Sequence, residues 1–70
     1  MRFKDIIKSV RQYLSLTQEQ LAHELNISFS TINRWENGHT LPSKLARMRF
    51  LEFCEKKKVD NNLIIFLKDL

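Results

Sequence analysis

One stretch in the middle of the chain carries side chains that can form hydrogen bonds with another molecule. At about 100° per residue, as in a helix, several of its residues fall within about 140° of arc. These residues are Phe29, Ser30, Asn33, Arg34 and Asn37. Ile32 and Trp35 fall on the opposite side. The outward side therefore presents a cation, hydrogen-bonding groups and an aromatic ring, with no acid and no aliphatic side chain.

Such a face suits the edges of base pairs in duplex DNA. An α-helix has about the right diameter to enter the major groove. Arg34 can fork to guanine N7 and O6, Asn33 can pair with adenine, and Phe29 can touch a thymine methyl group. The sequence therefore predicts a recognition helix over residues 28–37 and double-stranded DNA as the partner.

A second short helix precedes the recognition helix and must position it. Thr17 is a good N-cap, and Gln20 three residues later completes a capping box, so this helix is predicted to run from there to Leu25. Asn26 can adopt the left-handed conformation of a tight turn, and Ser28 is the candidate N-cap of the recognition helix. With only about three residues between them, the two helices should cross at roughly 90–120°. Their buried corner is predicted to contain Leu21, Leu25, Ile32 and Trp35.

Three further helices are predicted around this pair, and no strand. The first covers residues 2–14, where apolar residues recur at helical spacing. After the recognition helix ends at Gly38 in a left-handed cap, the fourth helix begins around Pro42–Ser43. Asp60–Asn62 caps the fifth helix. The backbone N–H groups of His39, Thr40 and Leu41 are predicted to be free of helical bonding, so that this loop can hold a phosphate.

Size and composition exclude several classes of protein. With 70 residues, the chain is expected to form one domain over residues 1–70, too small for most enzyme architectures. One Gly and one Pro are too few for a β-sandwich or a phosphate-cradling loop. The single cysteine, Cys54, cannot form an internal disulfide, which suits a reducing compartment, so a cytoplasmic protein is expected. The N-terminus does not resemble a signal peptide, and no apolar run is long enough to span a membrane. The net charge of +4 favours polyanions only modestly.

No residue pattern supports catalysis or metal binding. His23, His39 and Cys54 do not have the paired spacing of a zinc site, and no serine, histidine and acid occur in an order typical of a triad. Cys54 is expected to be a small core residue. The sequence therefore predicts no enzyme activity, no cofactor, no metal and no small-molecule substrate.

The segment from Thr17 to Gly38 resembles the phage-repressor/Cro-type (xenobiotic-response-element-type, XRE) helix-turn-helix family. The matching positions are Gln18, Ala22, Ile27, Ile32 and the run Trp35-Glu36-Asn37-Gly38. The chain departs from the family at Asn26, where glycine is frequent. The resemblance implies an all-α, five-helix, phage-repressor-like DNA-binding fold with its helix-turn-helix motif at residues 18–37.

The resemblance also implies roles for individual residues. Base edges would be contacted by Ser28, Phe29, Ser30, Asn33 and Arg34. Phosphates would be contacted at the start of the second helix and after the third, and the predicted set is Thr17, Gln18, Thr31, Asn37, His39, Thr40 and Lys44. Arg11 would pair with Glu36, while Trp35 and Gly38 would be structural.

The sequence is compatible with two functions. The first is a sequence-specific DNA-binding protein, expected to be a repressor-like transcriptional regulator. The second is a DNA-binding antitoxin or a protein-interaction or targeting module that uses the fifth helix. In that helix Leu63, Phe66, Leu67 and Leu70 are expected to close the core, which leaves Ile64 and Ile65 as a predicted homodimer interface.

Overall fold

The computed structural model describes all residues 1–70, and it consists of five α-helices without a strand. The helices are α1 (Phe3–Tyr13), α2 (Gln18–Leu25), α3 (Phe29–Glu36), α4 (Lys44–Lys56) and α5 (Asn61–Lys68). Helix α3 packs against α2 and α1, and α5 packs against α1 and α4. The predicted all-α, five-helix architecture is confirmed. None of the helices is long and apolar enough to cross a lipid bilayer.

Side-chain caps set the starts of the helices that carry the motif. The Gln20 N–H donates to Thr17 Oγ1 at 3.0 Å, and the Thr17 N–H donates to Gln20 Oε1 at 2.8 Å, which completes the predicted capping box. Ser28 Oγ accepts from the Thr31 N–H at 3.2 Å. Helix α4 begins later than predicted because Ser43 is its N-cap, so Pro42 lies before the helix.

Left-handed residues follow the first four helices. Ser15, Asn26 and Lys58 have φ between 55° and 56°, and Gly38 has φ of 75°. After each of them, the next N–H donates to the carbonyl five residues earlier. The pairs are Leu16 to Arg11, Ile27 to Ala22, His39 to Arg34, and Val59 to Cys54. This is the Schellman arrangement that closes a helix C-terminus. The predictions for Asn26 and Gly38 are confirmed, while Ser15 and Lys58 adopt the conformation without a residue type that favours it.

Aromatic side chains in the core pack the inner side of α3 against α1 and α4. Trp35 is buried, as predicted, and its ring meets the edge of Phe3 at a centroid distance of 5.6 Å. Phe3 in turn meets Phe50 at 5.7 Å. Edge-to-face aromatic pairs of this kind stabilise by about 0.5–1.5 kcal/mol beyond the area that they bury. The aromatic cluster therefore fixes the depth at which α3 sits, and with it the outward face of that helix.

Helix α5 has a different buried side from the predicted one. Ile64 is 8% exposed and belongs to the core with Leu67, whereas Phe66 is 43% and Leu70 is 44% exposed. The expectation that Ile64 lacks burial within one chain was therefore wrong, as was the placement of Phe66 and Leu70 in the core. Only Ile65 of the predicted pair is exposed. The i, i+3 pair of Ile64 and Leu67 shares one side of the helix, and packing against α1 and α4 selected that side.

Cys54 lies fully inside the core, as expected, and its surroundings predict an inert thiol. Burial raises the pKa of Cys54 from 9.0 to about 12. The unfolded chain releases the thiol proton at lower pH than the folded chain, so stability should fall as pH rises from 9.0 to about 12. We expect a maleimide at neutral pH to label Cys54 only after denaturation. Rapid labelling of the folded protein would contradict the burial of this thiol.

Candidate nucleic-acid interface

The exposed side of α3 brings together the side chains that were predicted to contact bases. Ser28, Ser30 and Arg34 are exposed, Phe29 is 46% exposed, and Asn33 is partly exposed. Ile32 and Trp35 are buried on the opposite side. Phe29 lies outside the core cluster, so its exposed ring is available for contact with another molecule.

Three hydroxyl groups form a connected group at the N-terminus of α3. Ser28 Oγ lies 2.8 Å from Thr31 Oγ1 and 3.3 Å from Ser30 Oγ. Since Ser28 Oγ also accepts from the Thr31 N–H, it caps the helix and orients its neighbours at once. A hydroxyl can both donate and accept, so this group can adapt to different acceptors and donors on a nucleic acid.

A buried ion pair ties α1 to the end of α3. Arg11 Nε donates to Glu36 Oε2 at 2.8 Å, and Arg11 Nη2 donates to Glu36 Oε1 at 3.0 Å. The Glu36 side chain is only 2% exposed, while that of Arg11 is 20% exposed. Hydrogen bonding to Glu36 raises the pKa of Arg11. The ion pair implied by the family resemblance is thus present, and its bidentate geometry fixes the orientation of the Glu36 carboxylate.

A chain of amide hydrogen bonds leads from this carboxylate to the exposed side of α3. Gln18 Nε2 donates to Glu36 Oε1 at 3.2 Å. Asn33 Nδ2 donates to Gln18 Oε1 at 3.2 Å, and Asn37 Nδ2 donates to Asn33 Oδ1 at 3.0 Å. We call these four side chains, Glu36, Gln18, Asn33 and Asn37, the amide relay. The three amides were each predicted to contact DNA on their own; in the sequence, only the i, i+4 spacing of Asn33 and Asn37 indicates a contact between two of them.

The loop after α3 differs in one respect from the prediction. The His39 N–H donates to the Arg34 carbonyl at 3.0 Å, so its predicted freedom was wrong. The N–H groups of Thr40 and Leu41 have no acceptor within the protein. They are followed by Lys44, exposed in the first turn of α4. The loop therefore keeps free donors beside an exposed cation, although fewer donors than expected.

Cations that were not predicted lie beside this loop. Arg2, Lys4 and Arg47 line a cleft that also contains Gly38. The Lys4 stem crosses the glycine, with its Cδ 3.2 Å from the position that a Cβ atom would occupy. These residues come from α4 and the start of α1, so no local pattern could have assigned them to the loop.

The remaining predicted residues lie as follows. Thr17 is exposed at the N-terminus of α2, and Thr31 and Thr40 are partly buried. His39 is exposed. No group of three or more His, Cys, Asp or Glu side chains is arranged to hold a metal ion.

Comparison with known proteins relates the chain to one family. The family model described as helix-turn-helix matches residues 7–46, more than half of the chain. The type II methyltransferase M1.ScrFI of Lactococcus lactis subsp. cremoris is 41% identical over an alignment of 59 residues, and the match covers 80% of this chain and 15% of that enzyme. The HTH-type transcriptional activator BcrR of Enterococcus faecalis is 40% identical over 43 residues, which are 61% of this chain and 21% of that protein.

The chain thus spans less than a quarter of each of these two relatives. No solved structure matches it significantly. The matched region covers α2, α3 and the loop after them. Together, the five-helix fold, the capped helix pair and the family match identify this chain as a member of the XRE-type helix-turn-helix family of DNA-binding domains.

Proposed function

We propose that this domain binds double-stranded DNA sequence-specifically and acts as a repressor-like transcriptional regulator. The observation that carries the proposal is the outward side of α3, where Arg34, Ser30 and Phe29 are exposed while Trp35 is buried. Helix α3 would enter the major groove, and α2 would lie across the phosphate backbone.

Contacts to the DNA would divide into two kinds. Base edges would be contacted by Ser28, Phe29, Ser30, Asn33 and Arg34, which supply the sequence specificity. Phosphates would be contacted from the N-terminus of α2 and from the loop and helix start around Thr40 and Lys44. The full proposed phosphate set is Thr17, Gln18, Thr31, Asn37, His39, Thr40 and Lys44. Helix N-termini and backbone N–H groups are natural phosphate donors.

Selection of bound sites from a random duplex library tests the proposal directly. A sequence-specific domain should enrich a defined motif, and the selected duplex should outcompete random duplex at several salt concentrations. An inverted repeat with half-sites about one helical turn apart would indicate binding as a dimer. Failure to enrich any motif would overturn sequence-specific binding.

Arg34→Ala should weaken binding to the selected site by about 1–3 kcal/mol and relax the preference at one base position. The loss follows from removing the only cation on the outward side of α3. Lys44→Ala is the matched control, because a phosphate contact should weaken all sequences evenly and lower the salt slope by about 1. Fluorescence anisotropy on selected and random duplexes separates the two effects. An equal loss on both duplexes for Arg34→Ala would contradict its role at a base.

The methyltransferase match does not lead us to propose catalysis, because it covers only 15% of that enzyme.

A second candidate function is an antitoxin or an interaction or targeting module, and it is favoured by exposed apolar groups on and after α5. Ile65, Phe66 and Leu70 are between 43% and 48% exposed. Contact through this surface, with a second copy or with another protein, remains a prediction. Sedimentation across a range of concentrations distinguishes a homodimer from a monomer.

A further inference from the structure

We infer that Asn33 is held in one orientation suited to adenine, and that Gln18 is the positioning residue that holds it. This inference rests on the proposed function and adds a base preference and its cause. It adds to the proposed phosphate contact of Gln18 a role as the internal support of Asn33. The evidence is the direction of the hydrogen bonds in the amide relay.

The Glu36 carboxylate sets the direction, from donor to acceptor, of every hydrogen bond in the relay. A carboxylate that pairs with a guanidinium offers only acceptors, so the group of Gln18 that faces it at 3.2 Å must be the NH₂. Gln18 Oε1 then faces Asn33, which must present its own NH₂ at 3.2 Å. Asn33 Oδ1 is left to accept from Asn37 Nδ2 at 3.0 Å. Turning either Gln18 or Asn33 over would set two acceptors or two donors against each other.

The relay leaves Asn33 with one free donor and one free acceptor. An amide nitrogen carries two hydrogens and an amide oxygen has two lone pairs, and the relay uses one of each. Adenine presents the N7 acceptor beside the N6 donor in the major groove, whereas guanine presents two acceptors. The fixed NH₂ and oxygen of Asn33 therefore match N7 and N6 of adenine. With guanine, the Asn33 oxygen would face a second acceptor, which is unfavourable.

The relay also changes the cost of binding. Fixing a mobile side chain at an interface costs conformational entropy. Asn33 has already been fixed by its neighbours in the free protein, because its amide makes two internal hydrogen bonds and is only partly exposed. Both polar atoms of the Gln18 side chain are engaged as well. Its backbone N–H, in the first turn of α2, remains available for a phosphate.

The test compares base preferences rather than affinity alone. Gln18→Met keeps the length of the side chain and removes both amide atoms. We expect it to reduce adenine preference about tenfold at one position of the selected site, within the range of one bidentate contact. Asn33→Ala should reduce preference at the same position, and Gln18→Met should add nothing further in that background. The position that depends on Arg34 should keep its preference, and circular dichroism should verify that the variants are folded.

Two results would overturn the inference. One is an even loss across all sequences for Gln18→Met with no change in base preference, which would make its side chain a phosphate contact alone. The other is a base other than adenine at the position that depends on Asn33. Absence of any duplex binding by the wild type would instead overturn the proposed function. The relay itself would then be judged by hydrogen exchange of the Gln18 and Asn33 side-chain amides.

A measurement on the wild-type protein remains informative if a variant fails to fold. In the side-chain amides of Gln18 and Asn33, the NH₂ proton that donates within the relay should exchange with solvent roughly tenfold more slowly than the side-chain protons of Asn61 and Asn62, since hydrogen bonding slows exchange. The latter two are exposed and their side chains make no hydrogen bonds within the protein. Equal exchange rates for the four side chains would contradict the relay without any reference to DNA.

Discussion

Replacing Arg11 by alanine should destabilise the domain by about 3–5 kcal/mol. The change removes both hydrogen bonds of the guanidinium to Glu36 and leaves a carboxylate, only 2% exposed, without its counter-ion. A domain of this size has a total stability of roughly 5 kcal/mol, so the variant should retain only about 0–2 kcal/mol and unfold at much lower urea concentrations. Urea denaturation followed by circular dichroism measures the loss.

Two further variants test whether the loss comes from the unpaired charge. Lys8→Ala lies on the same helix but is exposed, so it should change stability by no more than about 0.5 kcal/mol. The double variant Arg11→Met and Glu36→Leu removes the buried charge together with its partner, and it should recover most of the stability. If Arg11→Ala were as mild as Lys8→Ala, the ion pair would have no structural role.

Gly38→Val should cost about 2–3 kcal/mol of stability and also weaken DNA binding. A β-branched residue is strained at φ of 75°. Its Cβ would also lie 3.2 Å from the Lys4 Cδ, so the Lys4 stem must move. Both changes displace the loop whose Thr40 and Leu41 N–H groups are free. Thermal denaturation and anisotropy on the selected duplex measure the two effects.

Lys58→Val is the matched control for this experiment. Lys58 also has a left-handed backbone, with φ of 55°, but it follows α4 rather than α3. Its replacement should lower stability by less, because lysine already bears part of the left-handed strain. It should leave the affinity of the folded fraction for DNA unchanged. Full DNA affinity in Gly38→Val would exclude a role for this loop in binding.

The elements of the motif were predictable because their signals are local. The side chains of Thr17 and Gln20 each accept a hydrogen bond from the other's backbone N–H. In the next helix, the Ser28 side chain accepts from the Thr31 N–H. Such caps depend on residues three positions apart, so they act before the rest of the chain is in place. The division of α3 into a buried side and an exposed side likewise follows from its own periodicity.

Other features could not be predicted because distant elements decide them. Ser15 and Lys58 take left-handed conformations that their residue types do not favour, since the packing of the flanking helices outweighs the local cost of about 1–2 kcal/mol. In α5 every residue from Leu63 to Leu67 is apolar, so periodicity could not choose between Ile64 and Phe66. Contact with α1 and α4 selected Ile64.

The sequence alone accounts for the fold class, the helix pair and the residues that α3 turns outward, because hydrophobic periodicity and capping act over a few residues. The tertiary structure decided how those residues are held. Arg11 reaches Glu36 only when α1 packs on α3, and Gln18 reaches Asn33 only when α2 meets α3. Hydrogen bonds between side chains on different helices depend on distances of about 3 Å, which only the packed structure sets.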